Sequence, residues 1–447
     1  MMLTAVRRFS SVSQRSTLNC YTNAQKLFPG GSNGEFRFKN PIILREGKGA
    51  RVTDITGKRY VDFTMGWGSV LAGHSHPEIV GPVGKELASG TNFAGLNVYG
   101  VELAAKLNQI HPESCQQVRL VGSGTEATEY ICRLMRAYTD KQYILKFEGA
   151  YHGSNTIGIT SLFPIKKMDY PFPEPTSGGI DNEPKILVAP FNDYKTTEKI
   201  INEYSGLLAG VLVEPIHRCT PPKGNFLGQL REICDQKKIL LGFDEVVTGF
   251  RLHLGGAETY YRVKPDLVAY GKALGGGFPI GVVAGRSDIM ELFNENRMNK
   301  EPYVWGASTY GGNPVSSLAA LKMIEMLEDN SCYEFLHHQG RFLRDELTKL
   351  LKEFGIEAQV IGNGPMCQII FSPNPVQNYR EQFDSEDREF RQAFMNKMVD
   401  NGVYLNPMST KLYLSLAHKS DVIDEFLNKT RKTLNDLRNF RDFKKLS

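Results

Sequence analysis

The chain has 447 residues, 41% of them apolar and 23% charged, which is enough for a large core and two or three domains. Its net charge of +4 gives no reason to expect nucleic acid or an anionic membrane as a partner, and no apolar run approaches the ~20 residues that span a bilayer. Seven scattered cysteines with no Cys-x-x-Cys pair point to a reducing compartment, and away from a disulfide framework or a zinc site.

Residues 1 to 16 read as a disordered leader. Arg7, Arg8, Arg15 and Lys26 precede the first acid, Glu35, among several serines. A cytoplasmic location is expected, with the mitochondrial matrix as the alternative that this Arg- and Ser-rich, acid-free start suggests. Tyr21 to Phe28 has the pattern of a short helix stopped by Pro29-Gly30-Gly31. Arg51 to Phe63 alternates about a central turn, as a β-hairpin does. From about residue 77 helical and strand-like patterns alternate. The strand candidates are 118–121, 143–147, 186–189, 210–213, 239–243, 267–270 and 281–284, with helices such as 126–138 and 226–236 between them. The expected fold is α/β, a large domain with a mostly parallel seven-stranded sheet covered on both faces, plus a smaller α+β domain. Residues 161–182, rich in Pro and Gly, read as a long loop, a candidate lid. A helix over 313–327 leads into the C-terminal region, and 429–445 reads as a basic helical run with a solvated face. The expected division is 1–16 leader, 17–72 N-terminal segment of the small domain, 73–320 large domain and 321–447 C-terminal small domain.

Two of the strand-like runs end in chemistry. Ile239 to Phe243 ends at Asp244, and Leu267 to Gly271 ends at Lys272, followed by Gly275-Gly276-Gly277. Desolvation disfavours an ammonium, and the neutral amine is the form that attacks an aldehyde. A lysine beside an aspartate suits pyridoxal phosphate: the amine holds the aldehyde as a Schiff base and the carboxylate keeps the pyridine nitrogen protonated. Gly122-Ser123-Gly124-Thr125 joins a strand to a helix, where free N–H groups and hydroxyls suit one phosphate. It is not a dinucleotide fingerprint, because the third glycine is replaced by Ala127, so a nicotinamide dehydrogenase is disfavoured. Tyr151, at a strand end, suits stacking on a flat ring. Ser308 to Pro314 is a second small-residue turn before a helix. His74 and His76 read as a structural turn, and no metal is expected.

Taken in order, these stretches resemble the class III (subgroup II) pyridoxal-phosphate aminotransferases, and within them the glutamate-1-semialdehyde 2,1-aminomutase branch. The resemblance runs from about Tyr21 to His418. It rests on Phe28-Pro29-Gly30-Gly31, Gly66-Trp67-Gly68, Gly73 to Pro77, Ser123 to Ala127, Phe147 to Gly153, Val213-Glu214-Pro215, Asp244 to Arg251, Gly271-Lys272 with its glycines, and Gly311 to Pro314. It implies fold type I and a homodimer with its sites at the subunit interface. Lys272 would be the Schiff-base lysine and proton shuttle, and Asp244 the partner of the pyridinium. Val246 and Tyr151 would flank the ring. Ser123, Gly124 and Thr125 would hold the phosphate, helped by Thr309 from the partner subunit. Glu214 would lie at the cofactor, Arg37 would bind a substrate carboxylate, and Trp67 would line the substrate pocket.

Four features depart from the aminomutase pattern. Gly34 stands where a serine is usual. Ile216-His217-Arg218-Cys219 replaces Val-Ala-Gly-Asn, which leaves His217 as the candidate for the phenolic oxygen. The gating loop is not recognisable between Ser154 and Ile180. Lys411 falls in the segment where a glutamate is expected. A mutase must enclose its diamine, whereas a transaminase must release a keto product. The expected activity is therefore amino transfer between an amino compound and a keto acid, with the intramolecular aminomutase reaction as the alternative.

Overall fold

The computed structural model describes residues 14–33, 42–180, 184–299, 302–406 and 408–438. Its centre is a sheet of seven strands: β1 (Gln117–Val121), β2 (Tyr143–Phe147), β3 (Ile186–Ala189), β4 (Leu208–Val213), β5 (Leu240–Asp244), β6 (Leu267–Gly271) and β7 (Gly281–Gly285). Their spatial order is β1-β7-β6-β5-β4-β2-β3. β7 is antiparallel to both neighbours, and the remaining pairs are parallel.

The continuous apolar character of β3 to β6 follows from burial on both faces. Leu145, Phe147, Val211, Phe243 and Val268 enter one core, and Ile144, Leu212, Leu240 and Ala269 enter the other. Successive residues thus feed opposite faces, as the pleat requires. The large core also takes in Leu321, Ile324 and Leu327 and continues to Leu336, so its packing extends beyond residue 320.

The expected hairpin is present, with Arg51–Asp54 antiparallel to Arg59–Asp62. Val403–Tyr404 pairs in parallel with Arg59–Asp62, so chain segments more than 300 residues apart share one small sheet. Gln359–Ile361, Met366–Ile370 and Lys411–Tyr413 make a second, antiparallel one. Ala50, Val61 and Phe63 pack with Leu343, Phe394, Val403 and Ile423 in a common core.

Two expectations need correction, at the first helix and at the C-terminal helix. The first helix runs Gln14–Leu27 and so takes in residues assigned to the disordered leader; no proline or glycine interrupts the run before Pro29. Residues 1–13 lie outside the described residues. The loop 161–182 is irregular where described, but it is tied down. Glu174 accepts from the Ile165 and Lys166 N–H groups at 3.0 and 2.8 Å, and Tyr170 donates to Glu148 at 2.7 Å. The C-terminal helix, Ser420–Asp436, buries Thr430, Thr433 and Leu434, so its basic end has a core face as well as a solvated one; residues 439–447 lie outside the described residues. The His74 turn is structural as expected, its Nε2 lying 2.7 Å from Asp62 Oδ2.

One residue breaks the apolar pattern of the sheet. Lys146, within β2, is fully buried. Its ammonium donates to the carbonyls of Ala150, Ile157, Gly158 and Thr160 at 2.7–3.2 Å. It gathers the loop after β2 around one amine, which burial pushes down to about 7. Lys146→Met should lower stability by about 2–4 kcal/mol, because buried carbonyls lose their donor. Urea unfolding measures this, and an unchanged midpoint would show that the loop holds itself.

Candidate active site

Parallel strands carry their C-terminal ends to one edge, and the loops there form the site. β5 ends on Asp244 and its neighbour β6 on Gly271, in register Asp244 with Ala269. The carboxylate and Lys272 therefore leave the sheet side by side. Lys272 has φ 42°, in the left-handed region that disfavours side chains. A Cβ on Gly271 before it would fit tightly, 3.2 Å from the Ile280 carbonyl and 3.4 Å from Val246 Cγ1. Burial pushes the Lys272 ammonium down from its ordinary pKa. Asp244 and Glu214 oppose that shift, while Arg218 and Arg251 add to it. Its neutral amine is correspondingly easier to reach.

Asp244 is held at both oxygens. Oδ2 is 2.7 Å from His152 Nδ1, and Oδ1 accepts from Val246 N–H at 3.1 Å. His152 is buried and its Nε2 has no partner among the described residues. His152 lies inside the Phe147 to Gly153 stretch, where the sequence pattern assigns it no role. Its only signal was adjacency to Tyr151.

Ser123 caps the helix Gly124–Thr139, its hydroxyl accepting from Glu126 N–H at 3.2 Å. A Cβ on Gly124 would meet Val246 Cγ1 at 2.8 Å. Gly153, at φ 97°, packs so tightly on Thr125 that a Cβ would lie 2.7 Å from its Oγ1. Ser154 N–H also donates to Thr125 Oγ1 at 3.3 Å. The structure thus brings Ser123, Gly124, Thr125, Val246, Asp244 and Lys272 together, with the Tyr151 loop pressed against them. Ser308 Oγ accepts from Gly122 N–H at 3.1 Å within the same chain. Thr309 is exposed, and its carbonyl accepts from Asn92 at 3.0 Å.

Around this centre lie Glu214, His217 and Trp67. Glu214 and His217 are buried, and Glu214 Oε2 and His217 Nε2 are unpartnered among the described residues. The His217 ring stacks on Phe191 at 4.9 Å, and burial, reinforced by Arg218, keeps it neutral. Trp67 is half-buried in a turn whose residues Met65 to Gly68 all have positive φ. Buried Arg251 closes that turn, donating to the Gly68 carbonyl and to those of Val247 and Leu414. Arg37 lies outside the described residues.

A helix N-terminus with free donors, a buried aspartate fixed by a histidine, a desolvated lysine and unpartnered polar atoms at Glu214 and His217 fit a planar cofactor bearing one phosphate. The residues present could hold pyridoxal phosphate.

Comparison with known proteins agrees. The class-III aminotransferase family model matches residues 35–434. Glutamate-1-semialdehyde 2,1-aminomutase of Methanosphaera stadtmanae is 36% identical over 416 residues, covering 91% of this chain and 95% of that one. An omega-transaminase from Sphaerobacter thermophilus superposes with TM-score 0.87 at 30% identity, over 98% of this chain and 100% of that one. A transaminase solved with pyridoxal phosphate bound gives TM-score 0.85 at 27% identity, over 95% and 98%. The chain belongs to the class-III aminotransferases and is an enzyme of that pyridoxal-phosphate-dependent family.

Proposed function

We propose that the protein is an aminotransferase that moves an amino group from an amino compound to a keto acid in two half-reactions, working as a homodimer. The observation that carries this reading is the desolvated Lys272 beside Asp244 at the ends of adjacent parallel strands. The cofactor, when bound, supplies an aldehyde that condenses with amines and a ring that accepts electron density. Lys272 Nζ would hold the cofactor at rest and, once displaced by substrate, carry a proton between two carbons. Asp244, fixed by His152, would keep the ring nitrogen protonated. Val246 and Tyr151 would confine the ring. Ser123, Gly124 and Thr125 would anchor the phosphate, with Thr309 of a second copy completing it. His217 Nε2 would reach the phenolic oxygen, near Glu214. Trp67 would line the substrate pocket, and Arg37 would receive a carboxylate.

The second reading is the intramolecular one, glutamate-1-semialdehyde aminomutase. The curated relatives carry that name, and they back it better than they back a transaminase. The chain's own residues support release of product: Lys411 falls in the segment where the aminomutase pattern has an acid, and Ile216-His217-Arg218-Cys219 replaces the run that ends in its asparagine.

The pyridoxamine form of the enzyme, given glutamate-1-semialdehyde and no keto acid, should give little 5-aminolevulinate, while the cofactor cycles in a panel of amines and keto acids. Many turnovers to 5-aminolevulinate would establish the aminomutase instead. Lys272→Ala should abolish turnover, and a fully active variant would rule out this chemistry. His152→Phe should retain the cofactor but lose about ten- to hundredfold in kcat, the worth of a hydrogen bond to a charged group. An unchanged kcat would remove His152 from the account.

A further inference from the structure

Besides Lys272, two cations at the site make no side-chain hydrogen bond and no close ion pair among the described residues: Arg218 and Lys411. Lys411 is only 7% exposed. Burial pushes its ammonium down to about 7, and an amine so placed without a partner asks for an explanation.

Strand pairing shows where Lys411 points. Lys411 lies opposite Gln368, Leu412 opposite Cys367, and Tyr413 opposite Met366. Alternate residues share a face. Leu412 and Cys367 enter the small-domain core, whereas Tyr413 and Met366 pack against Met65, Ile216 and Leu252. Lys411 therefore leaves the strand on the face that meets the segment Glu214 to Cys219. The Cys219 thiol donates to the Cys367 carbonyl at 3.9 Å and holds that segment against the small sheet. Arg218, at φ 63°, turns its guanidinium over the Tyr151 ring, 5.9 Å from its centroid. Arg218, Glu214 and Lys272 are the charged neighbours of Lys411.

The local charges do not cancel. Asp244 is engaged by His152, and Glu214 is the remaining nearby acid facing Lys411, Arg218 and Lys272. Arg251 spends its donors on backbone carbonyls. Arg218 from the large domain and Lys411 from the small one act electrostatically on each other, Arg218 acts on Lys272 as well, and neither cation has a side-chain hydrogen-bond partner among the described residues.

We infer that Arg218 and Lys411 form an anion subsite that holds a carboxylate of the amino donor and of the keto acid. This rests on the aminotransferase reading. A carboxylate there would pair both cations at once, and a simple amine would leave Lys411 buried and unpaired. The site thereby selects amino acids over amines by rejecting the latter.

The test titrates holoenzyme by its cofactor absorbance with matched pairs: an α-, a β- and a γ-amino acid, each beside its decarboxylated amine. The wild type should favour at least one amino acid over its amine. Lys411→Met and Arg218→Gln should each weaken that amino acid by about tenfold or more while leaving the amine within about twofold, as loss of a charged contact predicts. Lys411→Arg should restore most of the preference. Apo Lys411→Met should unfold no earlier than wild type, since it removes an unpaired buried charge. Equal weakening of acid and amine, or no weakening of the acid in either variant, would overturn the subsite. So would a wild type that binds both members of every pair alike. A wild-type absorbance that responds to no amine of either kind would overturn the aminotransferase reading itself. If Lys411→Met fails to fold, Arg218→Gln decides the matter.

Discussion

Lys272 and Asp244 leave the sheet on neighbouring parallel strands, and the glycines around them let the backbone close tightly at the base of the half-buried lysine. Most of the site depends on that arrangement. The left-handed backbone at Lys272 is tolerated because Gly271, Val246 and Gly124 interlock behind it at near-contact distances. Desolvation then lowers the ammonium's pKa while Asp244 and Glu214 hold it partly up. Burial and the two carboxylates thus pull the amine in opposite directions, and burial is the larger effect.

The loop after β2 is the second support. It carries Tyr151, His152 and Gly153, and it is held from below by Lys146 and from above by contact with Thr125. His152 then transmits that rigidity to Asp244. Glu148, at the start of the loop, accepts a paired hydrogen bond from Arg380 of the small domain at 2.8 and 2.9 Å. The small domain is thus fastened next to the site, and it contributes Lys411 to the same region. On the proposed reading, the Schiff-base lysine and the anion subsite would be joined through the packing of two domains rather than through one loop.

Much of this was legible in the sequence. The large-sheet strands were marked by apolar runs because both faces are buried, and the Asp244 and Lys272 runs could be paired because parallel strands end together. Sequence order could not show which polar residues meet. His152 bonds Asp244 across 92 positions, and neither residue's neighbours announce it. Lys146 did carry a signal, a lone lysine inside a buried strand, but its four carbonyl partners come from a turn that no pattern specifies. The helix at Gln14 was missed because a basic, acid-free composition outweighed an uninterrupted helical run. Lys411 was visible only as a missing acid, and its direction emerged from strand register.

The most direct measurement is reduction of the native holoenzyme with borohydride followed by peptide mapping of the phosphopyridoxyl group. Of the lysines in and around the site, Lys146, Lys272 and Lys411 compete for it. The label should fall on Lys272 alone, since it is the one beside Asp244 at the end of β6. A label on Lys146 or Lys411, or none on Lys272, would contradict the account at its centre.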